Sequence, residues 1–437
     1  MPGPHSELLA RHRRVIPSWV ALYYDEPIEL VEGHGRRVRD GEGREYLDFF
    51  GGILTTMSGY GVPEIVEAIR EQAGRMVHSS TLYLIRPMVE LAERIAGLSG
   101  IPGAKVFFVS SGTEANEAAL LAACAARRSS QVLALRNSYH GRSFAAMSVT
   151  GNRAWSASGL SPFQVSYVHN GDRFRNPFGA TDDASLTEAC AADLREVIET
   201  TTSGDVACMI AEPIQGVGGF VVPPDGFFGA LKQVLDEHGI LFVSDEVQTG
   251  WGRTGEHFWG YEAHGIVPDL LTFAKGLGNG LAIGGVVGRG ELLESIRASS
   301  ISTFGGNPLS TRAALANLEH LLSADLQANA AKTGAIILSG LSSLLGRAGI
   351  VGDVRGKGLM IGVELVEPGT RTPSASSATA VLEEARRAGL LVGKGGLYGS
   401  TLRIAPPMSL TSEEASEGLG ILSEAILAVD RQVSAGG

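Results

Sequence analysis

Residues 105–116 have the sequence KVFFVSSGTEAN, in which a short apolar stretch leads directly into a polar turn that contains a glycine. The apolar part, Lys105–Val109, predicts a strand, and the residues after Gly112 predict the first turns of a helix. A strand, a turn and a helix in this order form the repeating unit of an α/β sheet.

The same alternation of apolar strands and helical patterns continues to about residue 290. Because the strands are continuous apolar runs, they predict a mostly parallel sheet that helices cover on both faces. One helix follows Asp225, which we expect to cap its start, and Gly239 is expected to end it. The predicted strands are Lys105–Val109, Gln131–Leu135, Val206–Ala211, Ile240–Ser244, Leu270–Phe273 and Ala282–Val287.

The pattern changes after about residue 325. A long helix at Pro308–Leu322 leads out of the first region, and shorter strands and helices follow it. Near the N-terminus, the stretch GRRVRDGEGREYLDFFGG predicts a hairpin. We therefore expect three parts: an N-terminal segment (1–55), a large domain (56–325) and a smaller C-terminal α+β domain (326–437) on which the N-terminal segment packs.

The charge balance and the cysteines limit the class of protein. With 36 basic and 47 acidic residues the net charge is −11, which argues against nucleic acid and anionic membranes as partners. Cys124, Cys190 and Cys208 are scattered without metal-site spacing, so reduced thiols and no metal are expected. Without a secretory signal or an apolar span, the chain is expected to be a cytoplasmic protein that binds small molecules.

The turn after the first strand is a candidate phosphate site. Ser111, Gly112 and Thr113 stand at the start of a helix, where the first N–H groups have no carbonyl partner and favour an anion. Gly112 also lets the backbone approach a phosphate closely. An ordinary capped turn explains the same residues, so this segment alone leaves both interpretations open.

Two further segments place charged residues at the ends of apolar strands. In FVSDEVQTG (242–250), Asp245 would face the ligand edge of the sheet, where a buried carboxylate needs a cation or hydrogen bonds. In LTFAKGLGNG (271–280), Lys275 closes a strand, and inside a pocket its amine becomes a nucleophile for carbonyls. The alternatives are a helix cap at Asp245 and a surface position for Lys275.

The three segments together indicate pyridoxal 5′-phosphate as the cofactor. A phosphate cradle, an acid for the pyridine nitrogen and a Schiff-base lysine are the protein groups that this cofactor requires. Asp245 would keep the ring nitrogen protonated, so that the ring accepts carbanion electrons. Lys275 would hold the cofactor as a Schiff base and move the proton during catalysis. Lys275 and Asp245 are therefore the predicted catalytic residues.

Beyond these segments, the chain resembles the class III (subgroup II) aminotransferases of fold type I. It is closest to the alanine–glyoxylate aminotransferase 2-like and ω-amino acid aminotransferases, and this resemblance implies a seven-stranded sheet in the large domain. The motifs that carry it are SSGTEAN (110–116), YHGR (139–142), EPIQG (212–216), DEVQTGWGRTG (245–255), FAKGLGNG (273–280), TFGGNP (303–308), VRGKGLMIGVEL (354–365) and LRIAPP (402–407).

The resemblance also implies a set of cofactor contacts. Tyr139 and Val247 would cover the two faces of the ring, and Gln248 would lie near the ring hydroxyl. Thr303 would lend its hydroxyl to the phosphate in the neighbouring subunit, which implies a homodimer with active sites at the interface. The full set is Ser111, Gly112, Thr113, Tyr139, His140, Glu212, Asp245, Val247, Gln248, Lys275 and Thr303.

For the reaction, the resemblance implies ping-pong transfer of an amino group to pyruvate, glyoxylate or 2-oxoglutarate. The donor would be alanine, a β-amino acid or an ω-amino acid, and Arg403 would hold the α-carboxylate. Members that use 4-aminobutyrate carry a glutamate where this chain has Val217, which disfavours 4-aminobutyrate and ornithine. Arg142 points the other way, because those members use an arginine there. The predicted substrate contacts are Arg142, Arg403, Ile53 and Tyr24.

Several alternatives stay open on sequence alone. The segment SGYGVP (58–63) departs from the Gly-His-x-His-Pro of relatives, which changes either the donor pocket or only packing. An aminomutase or racemase would use the same cofactor residues. A cofactor-sensing regulator would need a DNA-binding domain, and a dinucleotide enzyme would need its glycines in the first βαβ unit, whereas Gly276–Gly280 follows the lysine.

Overall fold

The computed structural model of the chain describes residues 4–436, which form 13 helices and 15 strands. The helices are α1 (Pro4–Val15), α2 (Gly51–Leu54), α3 (Pro63–Arg75), α4 (Arg86–Leu98), α5 (Gly112–Arg127), α6 (Phe144–Ser148), α7 (Asp183–Thr201), α8 (Phe227–Glu237), α9 (Gly290–Leu293), α10 (Pro308–Ser323), α11 (Leu326–Ser342), α12 (Ala375–Arg387) and α13 (Ser412–Gly436). The strands are β1 (Leu30–His34), β2 (Arg37–Asp40), β3 (Glu45–Asp48), β4 (Ala104–Val109), β5 (Gln131–Leu135), β6 (Gln164–Val168), β7 (Val206–Ala211), β8 (Leu241–Asp245), β9 (Leu270–Phe273), β10 (Gly284–Arg289), β11 (Val351–Lys357), β12 (Met360–Leu365), β13 (Leu390–Leu391), β14 (Gly393–Gly395) and β15 (Thr401–Ile404).

A seven-stranded sheet of order β4-β10-β9-β8-β7-β5-β6 forms the centre of the larger part. Strands β6, β5, β7, β8 and β9 pair in parallel, and β10 is antiparallel to both of its neighbours. The predicted α/β class with a mostly parallel, seven-stranded sheet is therefore confirmed. The edge strand β6 was not predicted, because its side chains are only partly buried and it lacks a continuous apolar run.

Helices cover both faces of this sheet, as the apolar strands require. On one face α5 packs its alanines and leucine against buried residues of β5, β7 and β8. On the other face α7 and α8 pack against the opposite sides of the same strands. Every residue of β7 and β8 is buried, which is typical of central parallel strands.

The start of α8 corrects one prediction from the sequence. Asp225 does not cap this helix; the N-cap residue is Gly226, at φ 78°, and no side chain bonds the first turn. Asp225 instead forms an ion pair with Lys357, at 2.8 Å. The helix end agrees with the prediction, since Gly239 has φ 62° and its N–H donates to the carbonyl of Asp236.

Two four-stranded sheets lie outside the central one, with orders β11-β12-β15-β14 and β1-β2-β3-β13. In the second sheet, β3 pairs in parallel with β13, so the N-terminal strands join a strand from the last fifth of the chain. Within residues 4–436, no helix is both long enough and apolar enough to cross a membrane. The domain boundaries at residues 55 and 325 stay predictions.

The strand register brings the predicted site segments to one edge of the central sheet. Asp245 ends β8 opposite Thr272 of β9, so Lys275 follows three residues beyond that pairing. Val109 ends β4 opposite Gly284 of β10, which places the Ser111 turn beside the same edge. The carboxyl ends of parallel strands are where sheets of this kind bind ligands.

Candidate active site

The carboxylate of Asp245 lies at this edge, and its residue is only 3% exposed. Its Oδ2 atom accepts a hydrogen bond from Asn116 Nδ2 at 2.8 Å and lies 2.7 Å from His140 Nδ1. Because a carboxylate only accepts, Nδ1 carries the proton of that contact. The Oδ1 atom accepts from the N–H of Val247 at 3.1 Å, which leaves one direction free for a ligand N–H.

Asn116 was not among the predicted site residues, although it lies in the quoted SSGTEAN segment. It stands one helical turn after Gly112, and its residue is buried. Its Oδ1 accepts from Thr272 Oγ1 at 2.7 Å, and its Nδ2 also donates to the carbonyl of His140 at 2.8 Å. A single amide among the alanines and leucines of α5 was the signal that could have identified it, since buried polar groups need partners.

Lys275 begins a single 3₁₀ turn directly after β9, and its backbone has φ 43°, in the left-handed region. Its amine makes no hydrogen bond or ion pair with any residue between 4 and 436. Burial lowers its pKa; the carboxylates of Asp245 and Glu212 oppose this shift, and the Arg403 guanidinium adds to it. The amine therefore shares its electrostatic environment with the buried Asp245.

The predicted phosphate turn has the geometry of a capped helix start. Ser111 is the N-cap of α5, and its Oγ accepts from the N–H of Glu114 at 3.2 Å. The N–H groups of Gly112 and Thr113 come before that of Glu114, in the first turn, where a helix provides no carbonyl to accept their hydrogen bonds. A Cβ atom on Gly112 would lie 3.1 Å from both γ-carbons of Val247, so this turn packs closely against the segment after Asp245.

Glu212 holds the segment around Tyr139 in place. Its Oε1 accepts from the N–H of Tyr139 at 2.9 Å, and its Oε2 accepts from the N–H of Gly216 at 2.8 Å. Burial raises the pKa of Glu212 to about 7. The Tyr139 ring meets the edge of Trp155 at 5.4 Å between centroids. Both of these predicted residues thus border the same edge of the sheet as Asp245.

Arg403 is buried at the centre of an aromatic and amide cage. Its guanidinium lies 4.6 Å from the Phe220 ring and 5.3 Å from the Phe50 ring, and Nη2 donates to Gln248 Oε1 at 2.8 Å. The Nε atom is buried without a partner. Burial lowers the pKa of Arg403 to about 10. Within residues 4–436, no carboxylate pairs with this guanidinium, so its charge is left for a ligand.

Gln248 contacts Arg403 because the facing residue is a glycine. A Cβ atom on Gly216 would lie 2.2–2.4 Å from the three amide atoms of Gln248. Val217, the next residue, is buried, and its carbonyl accepts from the N–H of Gly396 at 2.9 Å. Position 217 therefore provides no acid to Arg403. The hydrogen-bond acceptor of Arg403 is an amide instead.

Ile53 lies in a left-handed turn, α2, in which Gly52, Ile53 and Leu54 have φ values of 59°, 65° and 61°. Such a conformation is strained for a β-branched side chain and needs support from its surroundings. Asp48 provides support, because its Oδ1 accepts from the N–H groups of Phe50 and Gly51 at 2.8 and 2.9 Å.

Tyr60, in the SGYGVP segment, donates its hydroxyl proton to Asp48 Oδ2 at 2.7 Å. Tyr24 is buried and lines a cavity of about 350 Å³ with Tyr60 and Phe50. Tyr23 connects this wall to the Arg403 cage, because its ring stacks on Phe50 at 5.9 Å. Tyr60, where the segment departs from the family pattern, thus supports the turn that contains Ile53 through its hydrogen bond to Asp48.

Arg142 and Thr303 are exposed, and neither makes a hydrogen bond or ion pair in the part of the chain that the structure describes. The Arg142 charge acts on Tyr139 by lowering the pKa of its hydroxyl, although burial raises that pKa overall. Thr303 lines an open cavity of about 720 Å³ with Ser110 and Glu114, next to the helix start. Arg142 thus follows the Tyr139–His140 segment on the surface, and Thr303 shares an open cavity with the residues around the start of α5.

These residues fit pyridoxal phosphate. An unpaired amine, an anchored carboxylate with a free acceptor direction and a helix start with open N–H groups converge at one sheet edge. In the same described residues, no group of three or more His, Cys, Asp or Glu side chains is arranged to hold a metal ion.

Comparison with known proteins shows the family. Residues 21–426 match the model of Aminotransferase class-III, so the chain belongs to this family of pyridoxal-phosphate-dependent aminotransferases. A similar relative is alanine–glyoxylate aminotransferase 2 homolog 2, mitochondrial, of Arabidopsis thaliana, which is 39% identical and spans 94% of this chain and 86% of its own. The resemblance to the class III aminotransferases is confirmed.

The chain is also similar to a racemase and to an amine transaminase of known structure. Leucine/methionine racemase of Thermococcus litoralis is 38% identical over 97% of this chain and 96% of the racemase. The crystal structure of an amine transaminase from an uncultivated Pseudomonas species, in its PLP-bound form, has a TM-score of 0.87 and 33% identity. It covers 92% of this chain and 95% of that one. The fold type I assignment is confirmed.

Removal of the hydrogen bond from Tyr60 to Asp48 is expected to destabilise the protein. Tyr60→Phe removes a donor to a buried carboxylate, which should lower the free energy of unfolding by about 1.5–3 kcal/mol. Urea unfolding measures the change. Tyr398→Phe is the control, because that ring is half-exposed and its hydroxyl makes no hydrogen bond among the described residues. Equal stability of the two variants would contradict the assigned support of α2.

Proposed function

We propose that the chain transfers an amino group between an α-amino or β-amino acid and a small 2-oxo acid, with Lys275 and Asp245 as its catalytic residues. The observation that supports this proposal is that a free, partly buried amine and an anchored carboxylate lie at the same ligand edge of the sheet. When bound, pyridoxal phosphate supplies the aldehyde that takes up the amino group and the ring that accepts electrons from the substrate Cα.

Lys275 has two roles in this proposal. Its amine would hold the cofactor, and after release it would accept the proton from the substrate Cα and pass it, within the same half-reaction, to the cofactor carbon that carried the aldehyde; the opposite half-reaction would run this transfer in reverse. Burial favours the neutral amine, since it lowers the pKa of Lys275, and only a neutral amine attacks a carbonyl or accepts a proton.

Asp245 holds a negative charge beside the pyridine nitrogen. Asn116 and His140 donate to one carboxylate oxygen and fix the plane of the group, so the other oxygen can face a ring N–H. A buried carboxylate opposite that N–H favours the protonated ring, because removing the proton would leave the carboxylate without its counter-charge. Val247 and Tyr139 lie at the same edge and are proposed to cover the two faces of the ring.

Arg403 defines the substrate class. Its guanidinium is buried, and its hydrogen-bond acceptor is the neutral amide of Gln248, so a substrate α-carboxylate would complete its pairing. With Val217 in the adjacent loop, a donor whose carboxylate lies too far from its amino group to reach Arg403 would leave the charge unpaired. Alanine or a β-amino acid with pyruvate or glyoxylate therefore fits better than 4-aminobutyrate or ornithine. Arg142 is proposed as a second carboxylate contact.

A racemase is the second candidate, and the similarity to leucine/methionine racemase favours it. Both activities begin with proton removal by the same lysine, so Lys275 and Asp245 do not separate them. Adding a single amino-acid enantiomer without a 2-oxo acid does. An aminotransferase stops after one half-reaction, whereas continued formation of the opposite enantiomer would establish racemisation.

The proposed homodimer is supported by apolar side chains exposed in the single chain. Leu84 is 99% exposed, and Leu82, Tyr83 and Phe304 are also largely exposed, which is unusual for apolar residues unless another surface covers them. Phe304 is next to Thr303 in the chain. We propose that the partner subunit covers this surface and that Thr303 serves the phosphate in the partner's site.

A cytoplasmic location is also part of the proposal. Cys124, Cys190 and Cys208 are all free thiols, and two of them are buried. Unpaired cysteines in a chain of this size are typical of proteins kept in a reducing compartment.

Replacement of Lys275 tests the central assignment. Lys275→Ala should lower kcat by about 10²–10⁴-fold, because it removes both the attachment point and the proton acceptor. Borohydride reduction of the unmutated holoenzyme, followed by mass spectrometry, should label the peptide that contains Lys275, and the variant should lack that label. Lys232→Ala, in α8, where the amine pairs with Asp236, should behave as the unmutated protein. Native-like kcat in Lys275→Ala would refute the proposal.

Replacement of Val217 tests the substrate class. Val217→Glu places a carboxylate in the loop beside Arg403, so the kcat/KM ratio of 4-aminobutyrate to alanine should rise about tenfold or more, equivalent to ~1.4 kcal/mol. Val217→Gln has the same shape without the charge and should leave the ratio close to that of the unmutated protein. If both variants shift the ratio equally, the charge on Arg403 does not select the donor.

Mixed dimers test the role of Thr303. In a heterodimer of Lys275→Ala and Thr303→Ala subunits, one site has both residues if Thr303 acts across the interface. In a random mixture about half of the dimers are heterodimers, and each heterodimer has one intact site out of two. The mixture should therefore regain about a quarter of native activity. The activity is measured at limiting pyridoxal phosphate after co-expression. No recovery beyond the separate variants would place Thr303 in its own subunit's site or outside the site.

A further inference from the structure

Asn317, in the middle of α10, is fully buried, with 0% of its surface exposed. Its Nδ2 atom donates to the carbonyl oxygens of Gly276 and Leu277, both at 2.9 Å. Its Oδ1 atom accepts the hydroxyl proton of Ser58 at 2.6 Å. The amide thus uses both of its N–H groups on the two residues that follow Lys275 in the chain.

The turn that Asn317 binds is strained. Lys275 has φ 43°, a left-handed conformation that is unfavourable for a residue with a side chain. The preceding Ala274, at φ −166° and ψ −141°, is extended, so the left-handed conformation begins at Lys275 itself. Such a conformation persists only where neighbouring groups hold it, and the two carbonyl bonds of Asn317 do so from the side of α10.

A second asparagine holds the other end of this turn. Asn279, also at positive φ, accepts from the N–H of Ser58 at 2.9 Å and donates to the carbonyl of Gly59 at 3.0 Å. A Cβ atom on Gly276 would lie 2.7 Å from the sulfur of Met57, so the turn and the 57–59 segment are in close contact. Asn317 and Asn279 therefore bind the Lys275 turn to the same segment.

We propose that Asn317 is a positioning residue for Lys275. It fixes the backbone of the turn, so that the amine of Lys275 lies at the cofactor beside Asp245. The inference rests on the proposed role of Lys275. The lysine side chain is flexible and its amine makes no bond within the described residues, so the direction of the amine depends on the Cα position. That position is set by the turn, and Asn317 holds the turn.

The alternative is that Asn317 only fills the core. A leucine would fill a similar volume and would avoid the desolvation of an amide, which costs free energy unless all its groups are paired. The neighbours of Asn317 in α10, Ala316 and Leu318, are buried apolar residues. Core packing by itself therefore favours an apolar side chain here, and the amide is accounted for by the two carbonyls that it binds.

The test measures how fast Lys275 binds the cofactor. Apoprotein of Asn317→Leu is mixed with pyridoxal 5′-phosphate, the absorbance of the lysine-linked cofactor is followed, and the product is reduced with borohydride and located by mass spectrometry. The rate constant for linkage at Lys275 should fall about tenfold, because the amine samples a wider volume. In the loaded enzyme, kcat should fall while KM for the 2-oxo acid changes less than about twofold, since Arg403 is untouched.

Asn329→Leu is the matched control. Asn329 also donates to two carbonyls, those of Met408 at 2.6 Å and Leu410 at 2.8 Å, but it makes no bond to the Lys275 turn. This variant should lose thermal stability as Asn317→Leu does and keep the linkage rate of the unmutated protein. The proposal is overturned if Asn317→Leu loses stability but links cofactor at the native rate.

If Asn317→Leu does not fold, Ser58→Ala replaces it in the test. This change removes the hydroxyl that orients the amide and leaves the carbonyl bonds possible, so linkage at Lys275 should slow by about threefold, with a lower melting temperature because the Oδ1 atom of Asn317 loses its donor. A native rate would overturn the proposal. A borohydride label on another lysine of the unmutated protein would refute the role of Lys275 itself, which is a different result from native linkage in the variants.

Discussion

The buried carboxylate of Asp245 is the constraint on which the site depends. A charge removed from water must be paired or hydrogen-bonded, and Asp245 obtains its donors from three different segments: Asn116 of α5, His140 after β5 and the N–H of Val247. These donors meet only when the parallel sheet is formed. The cofactor edge is therefore a product of the same packing that stabilises the large domain, and its acid is oriented before any ligand binds.

Arg403 shows the opposite arrangement. Its charge is equally buried, yet two aromatic rings and one amide surround it instead of a carboxylate. The amide of Gln248 orients the guanidinium without neutralising it, and Gly216 leaves room for that amide. A partly satisfied cation of this kind favours a ligand that brings its own carboxylate. The proposed substrate specificity thus rests on the unpaired charge of Arg403, whereas the orientation of Asp245 rests on the donors that the protein supplies.

Two turns at the site contain left-handed residues that carry side chains. Lys275 and Ile53 both have left-handed conformations, and each turn is supported by a buried polar side chain, Asn317 for the first and Asp48 for the second. The 57–60 segment contacts both supports, through the hydroxyl of Ser58 and through that of Tyr60. The segment that departs from the family pattern therefore contributes to the hydrogen bonds that support the turns around the active site.

The sequence by itself determined the α/β class, the family and the order of the charged residues, because apolar strands and ligand turns are local patterns. It did not predict β6, which is an edge strand without a continuous apolar run, or the cap of α8, where Gly226 takes the place expected for Asp225. Only the tertiary structure brought Asn116 to Asp245 and Asn317 to the turn after Lys275. Each binds atoms of distant segments, and hydrogen bonds between residues so far apart in the chain leave no periodic or local signal.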